Sequence, residues 1–335
     1  MDATEFNLSL FDTLLDYDNL SDYDSNFCLG CEHILQKMSI TFYSIIFILG
    51  IIGNGLVIWI AGFRMKKTIS AVWFLNLAIA DFLCCASIPL RIVDWVYYFF
   101  SQLPTLFCIF SMILFTLNMS ASVLLLTAMS IDRWVSVMWP IWAKVHRTCK
   151  KARITVGVIW VLSLVLTGFM FYCYKVYNLD VYEWCLTDIQ GDDLSYIDTQ
   201  HTIHMIRFFI MFLVPFLIIL ICYVTIFFKV KKCKRSQRSQ RTSRIITAVI
   251  LCFFICWFPY YIWPLTPLYY ESGIQFFTVT TIVATLACLN SCINPIIYVF
   301  MGQGFKQNFF RSIRSRLENA LNERPNDPCE NQEDF

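Results

Sequence analysis

Charge is what this chain of 335 residues has least of: Asp, Glu, Lys and Arg make up 15% of it, against 58% hydrophobic residues. A soluble domain carries about a quarter charged residues, so the deficit argues against an ordinary water-solvated surface. The soluble alternative, a large all-α protein, calls for helices that are shorter and mostly amphipathic. A basic start followed by a short apolar core is also missing, because the first 30 residues are acidic. The first apolar span is therefore expected to serve as its own insertion signal. The 15 cysteines make neither a disulfide framework nor a metal cluster, since most sit inside apolar runs. There cysteine behaves as a small hydrophobe. The net charge of +2 is uninformative, because the charges are segregated along the chain. No nucleic-acid partner is expected, and no metal other than a monovalent ion.

What is present is a series of seven apolar segments, at 39–62, 69–98, 104–138, 152–174, 202–230, 243–267 and 275–301. Crossing a bilayer core takes roughly 20 apolar residues as helix. The predicted fold class is thus an all-α membrane protein, a seven-transmembrane helix bundle over residues 38–302. Residues 1–37 form an acidic arm, with Asp2, Glu5, Asp12, Asp16, Asp18, Asp22, Asp24 and Glu32, and read as disordered. Over 303–320, Phe305, Phe309, Phe310, Ile313 and Leu317 recur at helical spacing among Lys306, Arg311, Arg314 and Arg316. That pattern predicts a short amphipathic cytoplasmic helix on the membrane surface. A polar tail, 321–335, follows.

Basic residues crowd alternate span ends: Arg64, Lys66 and Lys67; Lys144, Arg147, Lys150, Lys151 and Arg153; and the run from Lys229 to Arg241. The opposite ends hold the acidic arm and a loop with Asp180, Glu183, Asp188, Asp192, Asp193 and Asp198. The positive-inside rule then puts the amino terminus outside and the carboxyl terminus in the cytoplasm. Asn7 and Asn19 each open an Asn-x-Ser sequon in the outer arm and read as glycosylation sites. Asn118-Met119-Ser120 fits the same pattern but falls inside a span, where it is discounted.

Polar residues inside spans carry the functional information, since they are expensive there. Asp81 sits mid-way along the second segment, with Asn118, Ser122, Asn290, Ser291 and Asn294 as candidate partners. Their oxygens suit a small hard cation such as sodium; a carboxyl hydrogen-bonded among asparagines is the other reading. For Asp132-Arg133, at the cytoplasmic end of the third segment, position alone does not reject a plain surface ion pair. Arg207 lies eight residues before Pro215 in the outward half of the fifth segment and requires an anion. A ligand carboxylate supplies one, and Glu183 or Asp94 from elsewhere in the bundle supplies another. Cys108 and Cys185 both fall on the outer side, where disulfides persist, and pairing them would pin the acidic loop over the bundle. Cys28 and Cys31 read as a small local disulfide. Pro89, Pro215, Pro259 and Pro295 interrupt four spans, and each favours a kink.

Together these residues resemble the rhodopsin-like family of G-protein-coupled receptors over 38–320. The motifs are Gly53-Asn54, Leu77-Ala78-Ile79-Ala80-Asp81, Asp132-Arg133-Trp134, Trp160, Pro215 with Tyr223, Cys256-Trp257-Phe258-Pro259 and Asn294-Pro295-Ile296-Ile297-Tyr298. Trp134 stands where the wider family usually has Tyr. The resemblance implies that Arg133, beside Asp132, holds the cytoplasmic face and then meets the G protein. It makes Trp257 and Phe253 a packing switch below the ligand, and Tyr223 and Tyr298 (with Asn294 and Pro295) residues that rearrange on activation. It makes Asp81, Asn118, Ser122, Asn290 and Asn294 an allosteric sodium site.

Within that family the chain looks like the chemoattractant branch of chemerin, formyl-peptide and complement anaphylatoxin receptors. The stretches Gly55 to Thr68, Val72 to Leu77, Pro140-Ile141-Trp142 with His146-Arg147, and Asn290 to Gln303 carry this likeness, as does Arg207. The branch implies a peptide or small-protein ligand, a ligand site of Arg207, Asp94, Glu183, Tyr260 and Trp257, and inhibitory G proteins leading to calcium release and chemotaxis in inflammation. Arrestin and membrane lipids are further partners on that reading. The tyrosine-bearing acidic arm (Asp16-Tyr17-Asp18, Asp22-Tyr23-Asp24) would dock a basic ligand. Two departures are visible. Thr278, Thr280 and Thr281 stand where anaphylatoxin receptors tend to carry an acid, which argues against an anaphylatoxin. Only Ser312 and Ser315 follow the last span, which argues against arrestin-driven desensitisation. A non-signalling decoy is opposed by Arg133 and Tyr298. Cys288 stands where an opsin has its Schiff-base lysine, which opposes a light-driven protein. A receptor for an anionic lipid remains the alternative ligand class.

Overall fold

A computed structural model of the protein describes residues 34, 37–64, 68–97, 105–176, 194–232, 237–267 and 274–301. All regular structure among the described residues is helical. Seven helices are long and apolar enough to cross a membrane. They are Lys37–Arg64, Ile69–Tyr97, Thr105–Met138, Cys149–Val176, a fifth running from Leu194 to Lys232, Gln237–Ile262 and Ile274–Met301. A further short helix, Pro140–His146, joins the third span to the fourth. Its proline at the first helical position needs no intrahelical N–H partner. The fifth span begins eight residues before the apolar run does. Residues 194–201, which include Ser195, Asp198, Thr199, Gln200 and His201, continue the helix, and hydropathy marks only the more apolar part. The arm at 1–33, the loop at 177–193 and the expected surface helix and tail from 302 onward lie outside the described residues.

The third span is the axis of the bundle. Of its most apolar 18-residue window 72% is buried against protein, compared with 28% for the fourth. The exposed face of the fourth, with Ile154, Val158, Val161, Leu162 and Val165, is apolar because its neighbour is lipid. Trp160 of that span donates its indole N–H to Asn76 on the second at 3.1 Å, and Asn76 donates in turn to the Val72 carbonyl at 2.8 Å.

Two of the interrupting prolines show how a membrane bundle tolerates them. Proline has no N–H for the carbonyl four residues earlier, and in lipid that carbonyl must find another donor. Pro295 frees the carbonyl of Ser291, and Asn54 of the first span donates to it at 2.8 Å. Pro215 frees the carbonyl of Met211, which lies 3.4 Å from the Tyr261 hydroxyl on the sixth span. Just before Pro215 the fifth span widens into a π turn, Phe209–Leu213, with Val214 N–H bonded to the Phe209 carbonyl. Such single-turn bulges are frequent at functional positions, and Arg207 lies two residues ahead of this one.

Candidate functional site

Three groups of side chains line the interior. The first surrounds Arg207, at the end of the helix Leu194–Phe208 and only 4% exposed. Its guanidinium carbon stands 5.0 Å from the ring centre of Tyr260 and 5.7 Å from that of Tyr261. A cation above an aromatic face gains about 0.5–2 kcal/mol, more when desolvated. Tyr260 packs edge-on against Trp257 at 5.7 Å and against Phe115 at 5.3 Å. Phe115 meets Trp257 at 5.2 Å, and Trp257 meets Phe253 at 5.9 Å. Trp257 is wholly buried. Rings therefore run without a gap from the Arg207 cation into the centre of the bundle, and displacing Tyr260 disturbs Trp257 directly.

Arg91 enters the same aromatic group from the second span, and the sequence reading passed over it. Its side chain is half-buried. It lies 5.0 Å from the Phe115 ring centre and 6.0 Å from that of Tyr43. Its polar contacts are to sulfur, Cys288 Sγ at 3.9 Å and Met112 Sδ at 3.6 Å. The signal that would have found it is the one that found Asp81: a charge inside an apolar segment, ten residues further along.

Asp81 heads the second group and is 0% exposed. Asn118 donates to one carboxylate oxygen at 3.1 Å and Asn294 to the other at 2.8 Å. Asn118 and Ser122 are one helical turn apart on the third span, and Asn290 and Asn294 on the seventh, so each pair shares a face. Asn118 Oδ1, Ser122 Oγ, Asn290 Oδ1 and Asn294 Oδ1 are buried without a hydrogen-bond partner. One carboxylate with several unsatisfied neutral oxygens fits a small hard monovalent cation, whereas no His/Cys/Asp/Glu cluster of the kind transition metals need occurs among the described residues.

At the far end, Asp132 and Arg133 do not pair with each other. Asp132 receives a two-pronged contact from Nε and Nη2 of Arg147 in the short loop before the fourth span. Arg133 donates to the Ser70 hydroxyl of the second span at 2.7 Å. Adjacent residues on a helix point about 100° apart, which lets two neighbouring charges serve different partners. Tyr298 is buried against Phe74, with ring centres 4.9 Å apart, and Tyr223 is half-buried on the fifth span.

Residues 53–298 match the family described as "7 transmembrane receptor (rhodopsin family)". The chain belongs to that family. Chemerin-like receptor 1 of Sus scrofa is 37% identical over 330 residues, covering 93% of this chain and 88% of that one. The C3a anaphylatoxin chemotactic receptor of Danio rerio is 38% identical over 294 residues (86% and 79%). Formyl peptide receptor 2 of Mus musculus is 36% identical over 327 residues (90% and 89%). This rhodopsin-family receptor is therefore a G-protein-coupled receptor of the chemoattractant peptide receptor group, a multi-pass membrane protein and not an enzyme. In the receptor's structure, Arg207, Tyr260 and Trp257 of the expected ligand site come together. Glu183, Cys185, Asn7 and Asn19 lie outside the described residues, as do the side chains of Asp94 and Cys108.

Proposed function

We propose that this receptor sits in the plasma membrane with its amino terminus outside, binds a chemoattractant peptide or small protein, and signals through inhibitory G proteins. The observation that carries this reading is the path Arg207–Tyr260–Trp257, in steps of 5.0 and 5.7 Å. A ligand anion on the guanidinium draws it off the Tyr260 face, and Tyr260 is packed on the tryptophan that the active state must move. A ligand that prefers the moved arrangement shifts the population toward it. The acidic arm attracts the ligand's basic body, a Cys108–Cys185 disulfide holds the loop above the pocket, and glycans stand on Asn7 and Asn19. Asp81, Asn118, Ser122, Asn290 and Asn294 hold sodium, which neutralises the carboxylate and favours the arrangement without agonist. On the cytoplasmic side Arg133 exchanges Ser70 for the G protein while Tyr223 and Tyr298 close behind it.

The test is inhibition of cyclic AMP in cells expressing the receptor, against chemerin, anaphylatoxin and formyl-peptide panels. A response to one panel, blocked by pertussis toxin and weakened about a hundredfold or more by Arg207→Ala, is expected, since truncating one partner of a buried charge pair typically costs that much. Binding without any cyclic AMP or calcium response overturns signalling in favour of a decoy. A response confined to anionic lipids and indifferent to deletion of residues 1–25 overturns the peptide reading.

A further inference from the structure

Two guanidiniums, not one, face the aromatic group that overlies Trp257. Arg91 approaches Phe115 from the second span, and Arg207 approaches Tyr260 from the fifth. The two rings are themselves in edge contact at 5.3 Å. Each cation thus stands against one ring of a touching pair, in steps of 5.0, 5.3 and 5.0 Å. Their charges repel, and withdrawing either from water adds to that cost.

Arg91 has weak polar partners. Thioether and thiol sulfurs are weak acceptors, and contacts at 3.6 and 3.9 Å leave most of its five N–H donors without a strong acceptor among the described residues. The Asp132–Arg147 pair, the ion pair found among the described residues, is at the other end of the bundle. Nor does Arg91 turn toward lipid. Its neighbours come from the first, third and seventh spans (Tyr43, Met112, Phe115 and Cys288), so the side chain reaches inward. Being half-buried, it is not sealed into the core.

We propose that Arg91 is a second anion-recognition residue, and that the pocket selects a peptide end bearing two anionic groups: the terminal carboxylate and an acidic side chain a few residues before it. One anion meets each guanidinium, and the apolar residues between them lie against the half-buried Tyr260. At roughly 3.3 Å per extended residue, up to about four residues bridge the two cations. The proposal rests on Arg207 receiving a ligand anion and adds the second charge as the specificity element. A peptide without the second anion leaves Arg91 on its sulfur and ring contacts alone, which is discrimination by an unmet charge.

The test uses the full-length receptor in lipid nanodiscs and the peptides acetyl-Glu-(Phe)n with one, two or three phenylalanines, their Gln analogues, and the terminal amides of both. Ligand-induced melting shifts give the affinities. For at least one spacing, the unaltered receptor is expected to lose about tenfold or more in affinity on either the acid-to-amide or the Glu-to-Gln change. Arg91→Gln should erase the preference for one of the two anionic groups and Arg207→Gln the preference for the other, while Arg91→Lys retains part of what Arg91→Gln loses. Discrimination of acid from amide without discrimination of Glu from Gln overturns the second-cation inference and leaves the Arg207 reading standing. So does an Arg91→Gln receptor that keeps both preferences. Loss of neither preference on Arg207→Gln, or no binding by any peptide, overturns both. The ligand-side changes need no variant, so the inference stays testable if Arg91→Gln does not fold.

Discussion

Gly50→Ala examines how closely the first span is held against its neighbours. A Cβ at that position would lie 2.2 Å from Cys85 Sγ, 3.0 Å from Cys85 Cβ and 3.4 Å from Cys292 Sγ. Rotating the Cys85 thiol relieves only the first contact, because its own Cβ remains too close. Cys292 is held in turn, since its thiol donates to the Ile46 carbonyl one turn before Gly50 at 3.1 Å. The helix must therefore move away from the second and seventh spans, and overpacking of this kind costs about 1–3 kcal/mol. Alanine recovers about 1 kcal/mol of helix propensity, which leaves a net loss of roughly 1–2 kcal/mol if the clash is taken at its upper range. At roughly 2–4 °C per kcal/mol for a large domain, the melting midpoint should fall by several degrees. Heating the detergent-solubilised receptor and following the surviving monodisperse fraction by size exclusion reads this directly. Gly157→Ala is the control, because a Cβ there meets nothing within 4 Å, and it should be neutral or stabilising. Adding Cys85→Ala to Gly50→Ala should restore part of the loss by removing the sulfur. A Gly50→Ala receptor as stable as the Gly157→Ala control would refute the close approach.

Other outcomes follow from the same geometry. Asn54→Ala leaves the Ser291 carbonyl without its donor and should cost about 1–3 kcal/mol. Restoring an N–H with Pro295→Ala in the same chain should recover part of it, so the two changes are expected to be non-additive in melting measurements. Arg147→Ala removes a partly exposed pair and should cost about 1 kcal/mol or less, with the difference from the unaltered receptor shrinking in high salt. Asp81→Asn should abolish the dependence of agonist affinity on sodium concentration while leaving antagonist binding within a few-fold; persistence of the sodium effect would place the cation elsewhere.

The seven spans and the residues worth watching were legible because the bilayer imposes a one-dimensional rule. Apolar runs of the right length must be helices, and any charge within them is expensive enough to stand out. Asp81 and Arg207 were found in this way, and the same rule, applied throughout, would have found Arg91. The partners of these groups were less legible. Of the side chains named around Asp81, Asn118 and Asn294 donate an amide N–H to its carboxylate, a choice that depends on which faces of the third and seventh spans turn inward. The expectation of a simple pair at Asp132-Arg133 gave way to separate bonds with Arg147 and Ser70, because neighbours on a helix diverge.

By itself, the sequence determined the number of crossings and the positions of the prolines, since length, hydropathy and a missing N–H are local properties. Only the tertiary structure decided which donor meets each freed carbonyl and which rings join Arg91 to Arg207. Asn54 and Ser291 are 237 residues apart, and their contact depends on how helices rotate and pack around the third span. That choice is made by side-chain shape and hydrogen-bond satisfaction across the bundle as a whole.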